Sequence, residues 1–307
     1  MRFINLKTRT QEAVLSQPSV LCIGNFDGVH IGHRQLVDSV LARYGELRER
    51  YPSLVSGAWF FDSSFYKAAD EIYTIEQKLD VFASLGLDYA VIADFEEMKS
   101  LTPEAFVSEV LVGACSCVHA VCGENFRFGC RASGTPDILN ELMHGESTVV
   151  SLFTDGDVIV SSTYIRELLR LGEIEKANRL LCNEYSLCEP VLHGKALGRK
   201  LGFPTVNQES VSKKLILKHG VYATVCTLGD KQYFGVTNVG VRPTVESTDR
   251  KNIETYMIGY DGDCYGERIK VSFVKRLRDE MKFSDIDALK VRVLADIEET
   301  KAFFGAD

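Results

Sequence analysis

The apolar positions change rhythm once along this chain. Up to about Cys182, short continuous apolar runs alternate with stretches whose apolar residues recur at helical spacing. The runs Val20–Phe26, Val55–Phe61, Tyr89–Ala93, Ala120–Gly123 and Thr148–Phe153 read as buried strands. After the first of them, Leu36, Val40 and Leu47 share one helical face within Gln35–Leu47. Thr74 with Gln77 forms a capping-box start, and Thr102 with Pro103 marks another helix start. This alternation predicts an α/β domain, a parallel sheet covered by helices on both faces, with ligands at the carboxyl ends of the strands.

Beyond Cys182 the strand-like runs follow one another without helices: Pro190–His193, Val221–Leu228, Gln232–Val239, Glu254–Tyr260 and Ile269–Val274. Gly229-Asp230 and Asp261-Gly262 are hairpin signals between them. A small antiparallel β-barrel is expected, closed by a helix that Ser284 caps. Ile286, Leu289, Val293 and Ile297 make that helix's core-facing stripe. The expected domains are 1–184 and 185–307.

Composition narrows the classes. The chain has 307 residues, a length for two ordinary domains, with 45% apolar and 25% charged residues. A net charge of −8 excludes a general nucleic-acid binder, which needs a basic face. Membrane-span runs and a signal-peptide core are missing, so a cytoplasmic protein without a membrane partner is expected. The 9 cysteines, an odd number, do not read as a disulfide framework. Cys115, Cys117, Cys122 and Cys130, with His119, match no paired zinc spacing, and Cys122 reads as a small core hydrophobe.

Chemistry concentrates in Gly24-Asn25-Phe26-Asp27-Gly28-Val29-His30-Ile31-Gly32-His33, where the first strand hands over to a helix. Gly24 and Gly28 let a ligand approach the backbone, and a helix N-terminus attracts anions. His30 and His33 can donate hydrogen bonds to a phosphate as charge builds in a transition state, which is how a nucleotidyl-transfer site works. A tight turn carrying two surface histidines explains the same residues. A second cluster, Ser161-Ser162-Thr163 with Arg166 one turn on, opens another helix; it reads as an anion nest or as a plain N-cap. In the second half, Gly194, Gly198 and Gly202 with Lys195, Arg199 and Lys200 make a flexible basic loop that could fold over phosphates. It lacks the Walker ending, and a basic surface loop is the alternative.

The longer strings carry a resemblance. Gly-x-Phe-Asp-Gly-Val-His-x-Gly-His resembles the signature of the flavin nucleotide adenylyltransferases, within the HIGH-motif nucleotidyltransferases. Ser161 to Arg166 resembles the Ser-Ser-Thr-x-Ile-Arg element of the same enzymes, and Gly123-Glu124-Asn125-Phe126-Arg127-Phe128-Gly129 their Gly-x-x-Phe-x-Phe-Gly segment. Gly198-Arg199-Lys200-Leu201-Gly202-Phe203-Pro204-Thr205-Val206-Asn207 resembles the riboflavin kinases, with Val206 in place of alanine. With the motifs in family order from Val20 to Phe304, the chain resembles the bacterial bifunctional riboflavin kinase/FAD synthetases.

The resemblance implies a Rossmann-like nucleotidyltransferase domain followed by a riboflavin kinase barrel, with riboflavin, FMN, FAD and ATP as small-molecule partners. By it, Gly24, Phe26, Gly28, Asn125 and Ser161 to Thr163 contact ATP, His30, His33 and Arg166 serve adenylyl transfer, and Phe65 and Phe126 line the flavin. Likewise Thr205 and Asn207 hold Mg²⁺ and phosphate, Glu254 is the base for phosphorylation, and Arg278 lines the kinase's flavin. For Arg278 a mixed-charge surface turn is the alternative. A monomer or weak homo-oligomer is implied. One departure stands out: Phe61-Asp62-Ser63-Ser64-Phe65-Tyr66 occupies the place of a Phe-x-Pro-His-Pro segment. It opens one alternative, a kinase with an impaired first domain; an alternative of another class is a flavin-binding module without turnover.

Overall fold

The computed structural model describes residues 1–6, 15–62, 70–193, 198, 202–209, 213–241 and 251–306. Phe65, Gly194, Lys195 and Arg199 lie outside them. By contacts the chain forms two compact units, Met1–Tyr164 and Ile165–Asp307.

The first unit is built on six parallel strands: β1 (Arg2–Leu6), β2 (Ser19–Ile23), β3 (Val55–Phe61), β4 (Tyr89–Ala93), β5 (Cys117–Gly123) and β6 (Ser147–Val150). Their order is β1-β4-β3-β2-β5-β6. All of β2 is buried, as expected of a parallel strand covered on both faces. The chain winds from β2 through β3 and β4 on one side, then crosses to β5 on the other. The crevice between the ends of β2 and β5 is therefore a topological switch point, where doubly wound sheets bind ligands.

Helices α1 (Ile31–Leu47), α2 (Ile75–Ser84), α3 (Phe95–Met98), α4 (Pro103–Ala105) and α5 (Pro136–Leu142) connect the strands, α4 running on into the π-helical stretch Phe106–Ala114. The expected capping box at α2 is present in both directions, Gln77 N–H to Thr74 Oγ1 and Thr74 N–H to Gln77 Oε1. Thr102 caps α4 with Pro103 at its start. The expected strand Val20–Phe26 stops at Ile23, because the chain turns to place Phe26 at φ 51°. Thr148–Phe153 shortens to β6, and a two-residue hairpin, β7 (Thr154–Asp155) with β8 (Val158–Ile159), follows it. Cys115, Cys117 and Cys122 are buried, and burial holds the Cys122 thiol up at about 11, so they pack as neutral core groups.

Helix α6 (Ser162–Leu171) spans the division between the units, and α7 (Ile174–Leu180) belongs to the second. Asn178 ties α7 to the barrel, donating to the Phe273 carbonyl at 2.8 Å and accepting from Tyr185 N–H at 2.9 Å. The barrel strands are β9 (Ser186–Pro190), β10 (Thr205–Glu209), β11 (Gly220–Leu228), β12 (Lys231–Val241), β13 (Lys251–Met257) and β14 (Arg268–Arg278). They form an antiparallel sheet in the order β10-β13-β12-β11-β14-β9, nearly closed by a bridge between Leu192 and Asn207. Thr224, Thr237 and Thr255 are fully buried and join hydroxyls at 2.8 and 2.9 Å across the sheet, which marks the interior face. The alternate residues face outward, where Val236 packs with Ile297 of α8 (Ile286–Phe304).

Several expectations shift here. The strand expected at Pro190–His193 is β9, ending at Pro190. Gly229-Asp230 is a hairpin turn between Leu228 and Lys231, but Asp261-Gly262 is not, since β13 and β14 are not neighbours. The cap of α8 is Asp285, which accepts from Ala288 N–H at 2.8 Å, while Ser284 donates to the Asp285 carboxylate. A carboxylate at that place also complements the helix dipole. Ile286, expected in the core, is 58% exposed, and Ile297 and Val293 carry the packing instead.

Candidate active sites

At the switch point of the first unit lies a cavity of about 710 Å³. Trp59, Phe61, Phe95, Phe106, Phe126 and Phe128 give it an aromatic wall, and His30, His33, Asn125, Ser161 and Ser162 give it polar groups. Phe126 and Phe128 stack at 5.6 Å with ring planes 14° apart. An aromatic cavity with a few convergent polar groups is the usual form of a cofactor-sized site.

His30 is the N-cap of α1, and the two histidines cap each other. His33 N–H reaches His30 Nδ1 at 3.3 Å, and His30 N–H reaches His33 Nδ1 at 3.4 Å. The rings stack at 3.6 Å, 18° from parallel. Each Nδ1 therefore accepts, so in the neutral rings the proton sits on Nε2 and that edge donates. Burial lowers the His30 pKa to about 4. His33 lies well below its ordinary value, through burial first and then through His30 and Lys78. His30 is thus buried and His33 half-buried, both held uncharged, so they are not two freely exposed surface histidines.

Glycine and aspartate shape the loop between β2 and α1. Gly28 sits at φ +60°, and a Cβ there would stand 2.7 Å from Ile72 Cγ2. Asp27 Oδ1 accepts from Ile72 N–H at 2.9 Å and Tyr73 N–H at 3.4 Å. Phe26 is fully buried with its ring edge-on to His33 at 5.0 Å, so it wedges the histidine pair from beneath. Gly24 lies against that ring, where a Cβ would meet it at 3.2 Å.

Ser161 Oγ accepts from Tyr164 N–H at 3.2 Å, the bond of an N-cap, one of the two readings of this cluster. Ser162 Oγ donates to the Asp27 carbonyl at 2.7 Å, which brings the second motif onto the first. Thr163 is exposed and Arg166 half-buried, one turn along α6. Asn125 is exposed at the mouth of the cavity, in a turn closed by Phe126 N–H to the Gly123 carbonyl at 2.9 Å.

Sequence reading missed Lys78. It is 1% exposed, donates to the Asn25 carbonyl at 3.4 Å, and stands 5.4 Å from the Phe60 ring centre. Its signal was available: with Val81 and Phe82 it forms the buried face of α2, an odd place for a cation.

In the second unit, Asn207 on β10 lies directly opposite Glu254 on β13, and Thr205 opposite Tyr256. Directly paired residues share a sheet face, with Cβ atoms about 5 Å apart. The face is the outer one, because Thr255 points inward. Asn207 donates through Nδ2 to the Thr205 carbonyl at 3.3 Å. Asn252 Nδ2 donates to Glu254 Oε1 at 2.6 Å. A Cβ on Gly198 would stand 2.4 Å from the Phe203 carbonyl oxygen and 3.2 Å from Thr205 Oγ1, so a glycine is needed against Thr205. Gly202 takes φ +86° in the turn before Phe203. Arg278 is placed elsewhere than in a solvated turn. It clasps Asp296 of α8 through Nη2 to Oδ2 at 2.7 Å and through Nε, and Arg292 holds the same carboxylate.

Comparison with known proteins settles the family. An FAD synthetase family profile matches residues 13–164 and a riboflavin kinase profile residues 181–304. The bifunctional riboflavin kinase/FMN adenylyltransferase of Escherichia coli (strain K12) is 34% identical over 297 residues, 93% of each chain. The protein of that name in Bacillus subtilis (strain 168) is 31% identical over 299 residues, 93% of this chain and 92% of the relative. This chain belongs to the bifunctional riboflavin kinase/FMN adenylyltransferase family. A crystal structure from Streptococcus pneumoniae, described as a macrolide-efflux protein, has the same fold, with a TM-score of 0.88, 25% identity, and coverage of 98% of this chain and 99% of that one. Among the described residues, no helix is long and apolar enough to cross a membrane.

Proposed function

We propose that the chain runs two consecutive reactions of flavin cofactor synthesis, at the two sites just described. In the second unit the terminal ribityl hydroxyl of riboflavin attacks the γ-phosphorus of ATP, giving FMN and ADP. Glu254 takes the hydroxyl proton as that bond forms. In the first unit a phosphate oxygen of FMN attacks the α-phosphorus of ATP, giving FAD and pyrophosphate. His30 and His33 donate from Nε2 to the phosphate oxygens on which charge develops, and Ser161, Ser162 and Arg166 hold the leaving phosphates. The aromatic wall with Phe126 takes the isoalloxazine ring. The stacked, mutually capped histidine pair carries this reading: its two Nε2 donors are fixed before substrate arrives. The two chemistries divide at 184/185, just inside the start of the stretch that the riboflavin kinase profile matches.

Both reactions consume ATP. The side-chain oxygens of Thr205 and Asn207, on one strand face beside a carboxylate, suit a hard divalent cation such as Mg²⁺ and would hold it. When bound, such an ion neutralises charge on the ATP phosphates. Gly198 and Gly202 let the preceding loop lie close to that face, and Gly194, Lys195 and Arg199 are its phosphate contacts.

The test is a time course with riboflavin, ATP and Mg²⁺, the flavins being resolved by chromatography. FMN rises first and is then converted to FAD. FMN accumulating without FAD would overturn the adenylyl transfer assigned to the first unit, and unchanged riboflavin would overturn the phosphorylation assigned to the second.

A further inference from the structure

Three asparagines surround Glu254: Asn207 across β10, Asn238 across β12, and Asn252 two residues earlier on β13 itself. Residues two apart on a strand share a face, so all three amides can reach the carboxylate's neighbourhood. Their hydrogen bonds separate them. Asn238 donates to Glu280 Oε1 at 3.4 Å, and Asn207 to the Thr205 carbonyl at 3.3 Å. Among the described residues, Asn252 alone bonds Glu254, at 2.6 Å to Oε1. Among the same residues, the other carboxylate oxygen, Oε2, has no such bond.

Asn252 is a poor choice for stability. The residue is 7% exposed, and its Oδ1 is buried without a hydrogen-bond partner among the described residues. An orphaned buried carbonyl costs stability, and an apolar side chain of the same shape would not incur that cost. Its amide N–H is what the fold retains it for.

We infer that Asn252 is a positioning residue for phosphorylation. Its amide clamps Glu254 Oε1, fixes the rotation of the carboxylate, and leaves Oε2 to accept the proton of the attacking hydroxyl. Asn252 exchanges no proton and touches no substrate. The inference rests on the reading of Glu254 as the base.

The test uses the full chain with Asn252→Leu, Asn252→Asp, Glu254→Gln and the double variant Asn252→Leu/Glu254→Gln. Asn252→Leu lowers kcat for FMN formation about 10- to 100-fold, the factor carried by a hydrogen bond to a charged group. KM for riboflavin and ATP stays within about twofold. Conversion of supplied FMN to FAD is unchanged, which also reports that the chain is folded. Asn252→Asp keeps the shape, removes the donor, and loses at least as much. In the Glu254→Gln background, Asn252→Leu costs nothing further, because the residue acts through Glu254. A kcat within twofold of wild type for both Asn252 variants would overturn the inference, as would the same fractional loss in the Glu254→Gln background. Should Glu254→Gln alone keep wild-type kcat, the base assignment fails, and that outcome is told apart by the single variant.

Discussion

Ser162 and Asp27 are 135 residues apart in sequence and 2.7 Å apart in space, the serine hydroxyl donating to the aspartate's backbone carbonyl. The start of α6 is thereby tied to the loop that carries His30 and His33, so the two motifs line one cavity. Replacing Ser162 by alanine removes this tie without creating a new group. A hydrogen bond of this kind contributes about 1 kcal/mol, so KM for ATP in FAD synthesis rises about fivefold. FMN formation from riboflavin does not change. Steady-state kinetics of the two half-reactions, measured separately, check this.

Gly28 tests the geometry of the same loop. Its φ of +60° is strained for any residue with a side chain, and the added Cβ would sit 2.7 Å from Ile72. The Ile72 backbone is itself bonded to Asp27 at 2.9 Å, so it cannot move aside without breaking that brace. Gly28→Ala lowers stability by about 2–4 kcal/mol, strain and overpacking combined. Thermal unfolding measures the loss, which falls on the first domain's transition.

What the sequence made legible was local or strongly patterned. The capping box of Thr74 and Gln77 needs a few residues and forms as read. β2, β3 and β4 are nearly continuous apolar runs; β3 and β4 form at their expected places, and β2 forms but ends three residues early, at Ile23. Elements that lack an apolar run stayed hidden. β1 is mostly exposed at the sheet edge, and β10 reads Thr-Val-Asn-Gln-Glu. Gln208 of β10 is fully buried because its amide bonds the Glu189 and Ile269 carbonyls at 2.6 and 2.8 Å, partners no local pattern reveals. In the candidate sites, the histidine motif gave the residues but not their mutual capping. Arg278 was read towards flavin, whereas its guanidinium is occupied by Asp296, which approaches from a helix almost twenty residues later.

That carboxylate supplies the next prediction. Asp296 is 1% exposed and binds both Arg278 and Arg292, with nitrogen–oxygen distances of 2.7 Å to each. Removing a buried carboxylate leaves two guanidinium groups facing each other under α8. Asp296→Ala destabilises the barrel by about 3–5 kcal/mol. Because the cost lies in unpaired charge, the triple change Asp296→Leu/Arg278→Met/Arg292→Leu recovers most of it. Denaturant titration of the variants checks both statements.

The histidine pair makes the first domain acid-sensitive, with a definite sign. An unfolded histidine protonates near pH 6.5, whereas burial holds folded His30 at about 4. Between those values the unfolded chain binds more protons, so stability is fully present above about pH 6.5 and is lost as pH falls towards 4. His30 alone contributes a loss on the order of 3 kcal/mol over this window, and His33, also lowered, adds to it. Asparagine is a good N-cap and does not titrate, so His30→Asn keeps the helix start while removing one proton-uptake site. The variant loses less stability than wild type between pH 6.5 and 4.5, and it loses FAD synthesis at neutral pH because an Nε2 donor is gone. Denaturant unfolding across that range reads the slope. Equal slopes for the two proteins would show that His30 is not held neutral by the fold.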